Sequence, residues 1–340
     1  MNNTLTALKG VRVGHSTHLD KLTGCTVVLF DKPFAVAYKA YGGSTGTFNT
    51  DVFANGKLDN YAHGIFISGG SWYGLTSAGE ILKALVGKGI GYKSRKIINP
   101  NLTGAIVYDL GTHIGQYDPS YAREAVENAT YDEVTRGNVG AGTGTSVGKF
   151  FYEDEGKTFP GMKAGVGCAR VDLGNGIIVT ALSVVNAVGN IILPDGKILA
   201  GNRTKSGEFK KFKHFSDVLT DNKQNTTITI VGINANLWSR ENYERIAHVA
   251  TQGQTRAINP VNTSMDGDSL FVFSTEEVTD FVTKDATSIR GDGWSYPQLD
   301  IICQAAADAV QESIYDACYR AETIHADFAL DGIVPSVKDK

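Results

Sequence analysis

Two strand-like runs, residues 166–173 and the apolar, β-branched 177–185, are separated only by Gly174-Asn-Gly176. A connection this short and this rich in Gly and Asn closes an antiparallel hairpin, because those residues accept the left-handed backbone that the turn requires. The hairpin lies at the middle of the chain and constrains the kind of sheet it can build. Further strand-like runs cover residues 26–30 and 35–38, either side of an Asp31-Lys-Pro33 turn, and residues 104–108, 226–233 and 270–275. His63-Gly-Ile-Phe-Ile-Ser-Gly-Gly70 reads as a buried strand running into a glycine turn. The spacing of Ile81, Leu82, Leu85 and Val86 predicts a helix over 77–86 with Gly87 as its C-cap. Other helices are expected over 120–128, from an N-cap at Ser239 to residue 256, and over 299–322 after Pro297. Strands and helices do not alternate regularly. Mixed α/β layers with prominent antiparallel sheet are therefore expected, rather than a doubly wound parallel fold.

A length of 340 residues allows two domains of roughly 150 residues or one large α/β domain. A composition 42% hydrophobic and 20% charged supplies the core of an ordinary globular protein. The formal net charge of −4 gives no global attraction for nucleic acid or an anionic membrane. No run approaches the ~18 apolar residues of a spanning helix. No basic, apolar-cored leader opens the chain, so a cytoplasmic location with reduced thiols is expected. Cys25, Cys168, Cys303 and Cys318 include no C-x-x-C pair, and His15 and His18 stand without a wider ligand cluster. No metal and no other cofactor is expected. The polar, Lys-rich stretch 203–224 reads as a surface segment.

The chemistry concentrates in Asn262-Thr263-Ser-Met-Asp266-Gly267-Asp268. A hydroxyl follows an Asn directly and precedes an acidic, glycine-centred turn by three residues. A threonine there can attack the preceding carbonyl and become a new amino terminus, its own amine then serving as base. Asp266, Gly267 and Asp268 are expected to fix the turn. The glycine-rich run from Gly137 to Lys149 is not a phosphate loop: Thr143 stands where a Walker motif needs Gly, and Phe150 where it needs Ser or Thr. It is either a tightly turned loop or a backbone-lined wall that delivers Lys149 to a reaction centre. Asn186 and Tyr108 each end an apolar strand, where an amide or phenol caps a turn or faces an oxyanion. Asp308 lies among alanines and is either exposed or held for a purpose, since burying it unpaired is costly.

Several segments, in this order, resemble the family of L-aminopeptidase/D-esterases, β-aminopeptidases and nylon-oligomer hydrolases. They are Gly69-Gly-Ser-Trp-Tyr-Gly-Leu75, Ala105-Ile-Val-Tyr108, Gly140 to Lys149, Val184-Val-Asn186-Ala-Val-Gly189, the 262–268 segment and Ala305-Ala-Ala-Asp308. The resemblance covers most of the chain. It implies a four-layer αββα sandwich of the N-terminal-nucleophile-hydrolase type, with residues 1–340 as a single catalytic domain. It also implies a precursor that breaks between Asn262 and Thr263 into associated pieces of 262 and 78 residues. Thr263 is then the nucleophile. Lys149 holds its freed amine neutral, Asn186 donates to the oxyanion, Tyr108 assists, and Asp308 binds the amine or the precursor loop. The nylon-hydrolase branch carries a second carboxylate where this chain has Ala306, and Asp300 is only a loose substitute. The Asn–Thr junction resembles that branch, so linear amides such as 6-aminohexanoate oligomers are the implied substrates. The alternative is an aminopeptidase trimming small peptides, and the remote alternative a phosphate- or nucleotide-binding protein using residues 140–149. The family implies a homo-oligomer, a tetramer of processed heterodimers, with neither nucleic acid nor membrane as partner.

Overall fold

The computed structural model describes residues 1–58, 60–113, 115, 117–152, 158–213, 225–282 and 296–339. Of the surface segment expected over 203–224, residues 214–224 lie outside the described residues. Eight strands carry the architecture: β1 (Val11–His18), β2 (Thr23–Ala40), β3 (Tyr61–Ser68), β4 (Leu102–Ile106), β5 (Val166–Gly174), β6 (Ile177–Asn186), β7 (Thr226–Ala235) and β8 (Ser269–Val278). With the two-residue edge strand Thr47–Phe48 on β4, they form one nine-stranded mixed sheet in the order β5-β6-β7-β8-β2-β3-β4, with β1 also on β2. Only β7/β8 and β3/β4 run parallel among these pairs.

β2 folds this sheet back on itself. Its first half pairs with β1 and β3, and its last residues pair with β8. The register on β3 shifts between Leu29 and Phe34, around exposed Asp31 and Lys32. The turn expected at Asp31-Lys-Pro33 is therefore an irregularity within one long strand. Pro33 cannot donate to a ladder, and it falls between the residues paired with β1 and those paired with β8, while β3 stays paired on either side of it.

Four helices close the outer faces: α1 (Ser77–Gly87), α2 (Tyr121–Glu127), α3 (Arg240–Ala257) and α4 (Tyr296–Arg320). Cys25, Val27, Leu29 and Phe66 pack under α1 and α2. The opposite faces of the same strands, with Val28, Phe30, Ile65 and Ile67, meet Leu182, Val184, Ile228, Ile230, Phe271 and Phe273 in the central core. The far side of β6, β7 and β8 buries Ala181, Val231, Ile233 and Val272 under α3 and α4. The alternation of in- and out-facing residues along each strand thus produces the αββα layering. The structure matches the expected fold class.

The central hairpin forms as its sequence demands, with Gly174, Asn175 and Gly176 all at positive φ. Two helix boundaries differ from expectation. α1 runs through Gly87 to a C-cap at Lys88, and the left-handed glycine that ends the chain's helical path is Gly89 (φ +73°). α4 begins at Tyr296, so Pro297 falls in its first turn, where a missing N–H costs nothing.

α4 lies directly on β5 at Gly167. A Cβ there would stand 2.0 Å from the Ser313 carbonyl oxygen and 2.2 Å from the Ala317 nitrogen. Gly167→Ala should therefore lower the unfolding free energy by about 1–3 kcal/mol through overpacking. A denaturant midpoint unchanged from the parent would contradict this approach of helix to strand.

Candidate active site

The ends of β6 and β4, the loop before Lys149, and the starts of β7 and β8 converge at one end of the sandwich. The glycine run is not an open loop. Residues 140–150 are buried throughout, and Gly148 (φ +74°) approaches so close that a Cβ would stand 1.9 Å from the Asn202 nitrogen. Backbone bonds from Gly148 N–H to Gly189 O (2.9 Å) and from Lys149 N–H to Val188 O (2.7 Å) lay the run against the turn after β6. Lys149 Nζ then donates to the backbone oxygen (3.0 Å) and to Oδ1 (2.9 Å) of Asn186. The Asn186 Nδ2 group donates to the Tyr108 carbonyl oxygen at 2.8 Å. Burial pushes the Lys149 ammonium down to about 7, against the pull of Asp266, Asp109 and Asp268.

The 262–268 segment forms the opposite wall. Thr263 donates to one oxygen of Asp266, Oδ2, through both its hydroxyl (2.7 Å) and its N–H (2.9 Å). Asp268 accepts from the N–H of Asn262 (2.9 Å) on one oxygen and of Thr227 (2.5 Å) on the other. Burial raises the pKa of both carboxyls, and Asp266 raises that of Asp268 further. Asn262 itself is left-handed, with φ +57°.

A residue with no part in the site expected from the sequence lies between these two walls, paired with Asn186 and close to Gly267. Thr226, the first residue of β7, is the register partner of Asn186. Both are buried, Thr226 to 3% exposure. Like Asn186, it continues the row of alternate residues that faces the central core, here through Ile228 and Ile230. The position that a Cβ on Gly267 would take is 3.0 Å from Thr226 Oγ1. The Gly267 N–H donates to the Asn225 carbonyl at 2.5 Å, so the peptide oxygen preceding Thr226 already has a hydrogen-bond donor.

Asp308 is not brought to this cluster. On α4 its carboxylate is 57% exposed and pairs with Arg256 Nη1 at 2.7 Å. Its neighbours Ala305, Ala306, Ala307 and Ala309 are buried. The carboxylates that the fold does assemble are Asp266 and Asp268. No group of His, Cys, Asp and Glu that could hold a metal occurs among the described residues. His15 hydrogen-bonds Thr26 Oγ1 at 2.9 Å, and His18 stacks on Tyr121.

A model of peptidase family S58 matches residues 3–328. The chain belongs to that family. Membership in S58 makes it an amide-bond hydrolase. Its curated relatives include an uncharacterized aminopeptidase of Mycobacterium tuberculosis (strain ATCC 25618 / H37Rv), 30% identical over 298 residues, covering 81% of this chain and 82% of the relative. A 6-aminohexanoate-oligomer endohydrolase of Kocuria sp. (strain KY2) is 28% identical over 322 residues, covering 92% and 84%. Among solved structures, the L-aminopeptidase D-Ala-esterase/amidase of Ochrobactrum anthropi, described as a variant of the Ntn hydrolase fold, superposes with a TM-score of 0.68 at 20% identity, covering 98% of this chain and 91% of that one. A Burkholderia sp. beta-aminopeptidase gives 0.68 at 19%, covering 99% and 91%.

In this S58 chain the one sign of Thr226 in the sequence is a repeated dipeptide. Asn225-Thr226 is the same dipeptide as Asn262-Thr263 and heads a β-branched strand. Two buried ionisable groups behind the site carry no such sign in the sequence. Asp109 is raised to about 6 by burial and accepts from Thr23 Oγ1 at 2.6 Å. Lys163, fully buried, donates to the Gly142 carbonyl at 3.0 Å and to that of Ala164. Burial lowers it to about 7. That lies below the ordinary lysine value, so between about pH 7 and 10.5 the unfolded chain holds more protons than the folded one. The contribution of Lys163 to stability therefore rises with pH through that window. The difference in unfolding free energy between the parent and Lys163→Met should move in the parent's favour from pH 7 to pH 9. A difference independent of pH would mean that Lys163 titrates normally in the fold.

Proposed function

We propose that this chain is a self-processing N-terminal-threonine amidohydrolase acting on linear amides, and that its nucleophile is Thr226. The observation that carries the choice is the register of β7 on β6, which sets Thr226 directly across from Asn186, the residue that Lys149 Nζ hydrogen-bonds. The Thr226 hydroxyl attacks the Asn225 carbonyl carbon, and the acyl group passes from nitrogen to oxygen. Water hydrolyses the ester and leaves Thr226 with a free amine. The Gly267 N–H on the Asn225 oxygen stabilises the charge that builds there, and does the same for a substrate acyl group in the same seat. One such donor is worth about 10²–10³ in rate. An α-amine has an ordinary pKa of about 7.7–8.0, and the charge of Lys149, in the fraction that keeps its proton, favours the neutral form of the amine, the one that takes the hydroxyl proton. Asn186 orients Lys149, and Tyr108 fixes Asn186 through its carbonyl. The two pieces stay together because β7 lies between β6 and β8 in the sheet, and β8 in turn pairs with β2. A homo-oligomer of such processed pairs is part of this reading, as is a location in the cytoplasm.

The second reading keeps Thr263 as nucleophile. It is favoured by the carboxylate on its hydroxyl and by the left-handed Asn262 before it. The two separate by mass. A break after Asn225 leaves a C-terminal piece of 115 residues from the 340-residue chain, and a break after Asn262 leaves 78. We expect intact-mass and amino-terminal sequencing of the purified protein to give the 115-residue piece beginning at Thr226. Thr226→Ala should remain a single species of 36.4 kDa and hydrolyse no amide. A 78-residue piece from the parent, or scission in Thr226→Ala, would overturn the assignment.

The substrate class follows the curated relatives, whose names span aminopeptidases and 6-aminohexanoate-oligomer endohydrolases. We favour internal cleavage of linear amide oligomers. Rates on amino-terminally blocked and free forms of the same short oligomer should then agree within a few-fold. Activity confined to the free form would instead make the protein an aminopeptidase.

A further inference from the structure

Both hydrogen atoms that Thr263 can donate go to the same oxygen of Asp266. The turn that carries them is fastened on every side. The Gly43 N–H donates to Thr263 O (3.0 Å), the Ser44 N–H to Asp266 O (2.9 Å), and Ser44 Oγ to Ser264 O (3.0 Å). Asp268 ties the turn to β7 through the Asn262 and Thr227 N–H groups. The remaining oxygen of Asp266, Oδ1, is buried with no hydrogen-bond partner, although the Val188 N–H favours the charged form of the group. Asp266 also forms a parallel bridge with Asn225. An unbonded carboxylate oxygen is costly to bury unless some group is to meet it. Lys149 acts on this carboxylate through its charge, and the bridge to Asn225 brings the Asn225–Thr226 junction alongside.

We propose that Thr263 is a positioning residue. By gripping Oδ2 of Asp266 twice, it fixes the carboxylate so that Oδ1 is presented to the amine and hydroxyl of Thr226. This rests on the reading of Thr226 as nucleophile. The hydroxyl after Asn262 then serves to aim a carboxylate, and the 262–263 peptide stays intact. A hydroxyl and an amide on one carboxylate oxygen leave the group a single orientation, and a misplacement of about an ångström costs up to about a hundredfold in rate.

The charged groups that act on Asp266 are Lys149 from the glycine-rich run and Asp268 from its own turn, and Asp109 from the segment after β4 acts in turn on Lys149. Both Thr263 hydrogen bonds favour the carboxylate form, opposing the burial that raises the group. Losing the hydroxyl bond therefore raises Asp266 further. Activity that needs the carboxylate then begins to fall at a higher pH as the solution is acidified.

The test compares Thr263→Val, Thr263→Ser and the parent for fragment mass and for the pH dependence of amide hydrolysis. Thr263→Val is expected to break at the same place as the parent, giving the 115-residue piece, and to lose about ten- to a hundredfold in rate. The acid limb of its pH profile should move to higher pH. Thr263→Ser should keep the parent's profile. A Thr263→Val profile that superimposes on the parent's overturns the proposal, because a role confined to packing would not move that limb. A folded Thr263→Val protein that never breaks, beside a parent that does, also overturns it. The parent's own fragment mass tests the assignment of Thr226 separately, so the two failures cannot be confused.

Discussion

β6 and β7 pair antiparallel from Val179–Ile233 to Asn186–Thr226, and this one ladder sets the geometry of the site. Side chains alternate along a strand, so a slip of one residue would turn Thr226 away from the central core and bring Thr227 to Asn186. The slip is prevented by two apolar faces at once. Ile228 and Ile230 are locked into the inter-sheet core, and Val231 and Ile233 into the core under α3 and α4. The position of a hydroxyl is thus fixed by the burial of side chains several residues away from it.

Glycine plays a comparable part on the other wall. The run before Lys149 is buried against residues 186–189 and 201–202, and at Gly148 no side chain would fit. That close approach carries a lysine into a site from which water is largely excluded. Burial then weakens its hold on its proton, and Asp266, Asp109 and Asp268 partly offset that. The site is a balance of buried charges of both signs, a common arrangement where pKa values must be shifted from their ordinary range. Lys163 and Asp109 belong to the same balance from behind the glycine run.

The contrast between Asp308 and Asp266 follows from the layers. α4 lies on the outer surface of one half-sheet and presents its alanine face inward, so Asp308 points outward to Arg256. Asp266 precedes β8 directly and lies at the end of the sheet, where strands open on the site. A carboxylate on an outer helix cannot reach a strand end through a packed sheet. One on the loop that feeds the neighbouring strand can.

The amino-acid sequence alone determined the hairpin at Gly174-Asn-Gly176, the strand at β7, the α3 helix with its Ser239 cap and the mixed layering. All of these follow from local backbone preference and from the period of apolar residues. It also marked Lys149, Asn186, Tyr108, Asp266 and Asp268 as residues of interest. It pointed to Asn262-Thr263 and left Asn225-Thr226 unmarked, although the two dipeptides are chemically identical. It could not tell that Asp308 faces outward or that Lys163 is buried. Those questions turn on which strand lies beside which and in what register. That is decided by the simultaneous burial of several faces across long stretches of chain, and no local window of residues contains it.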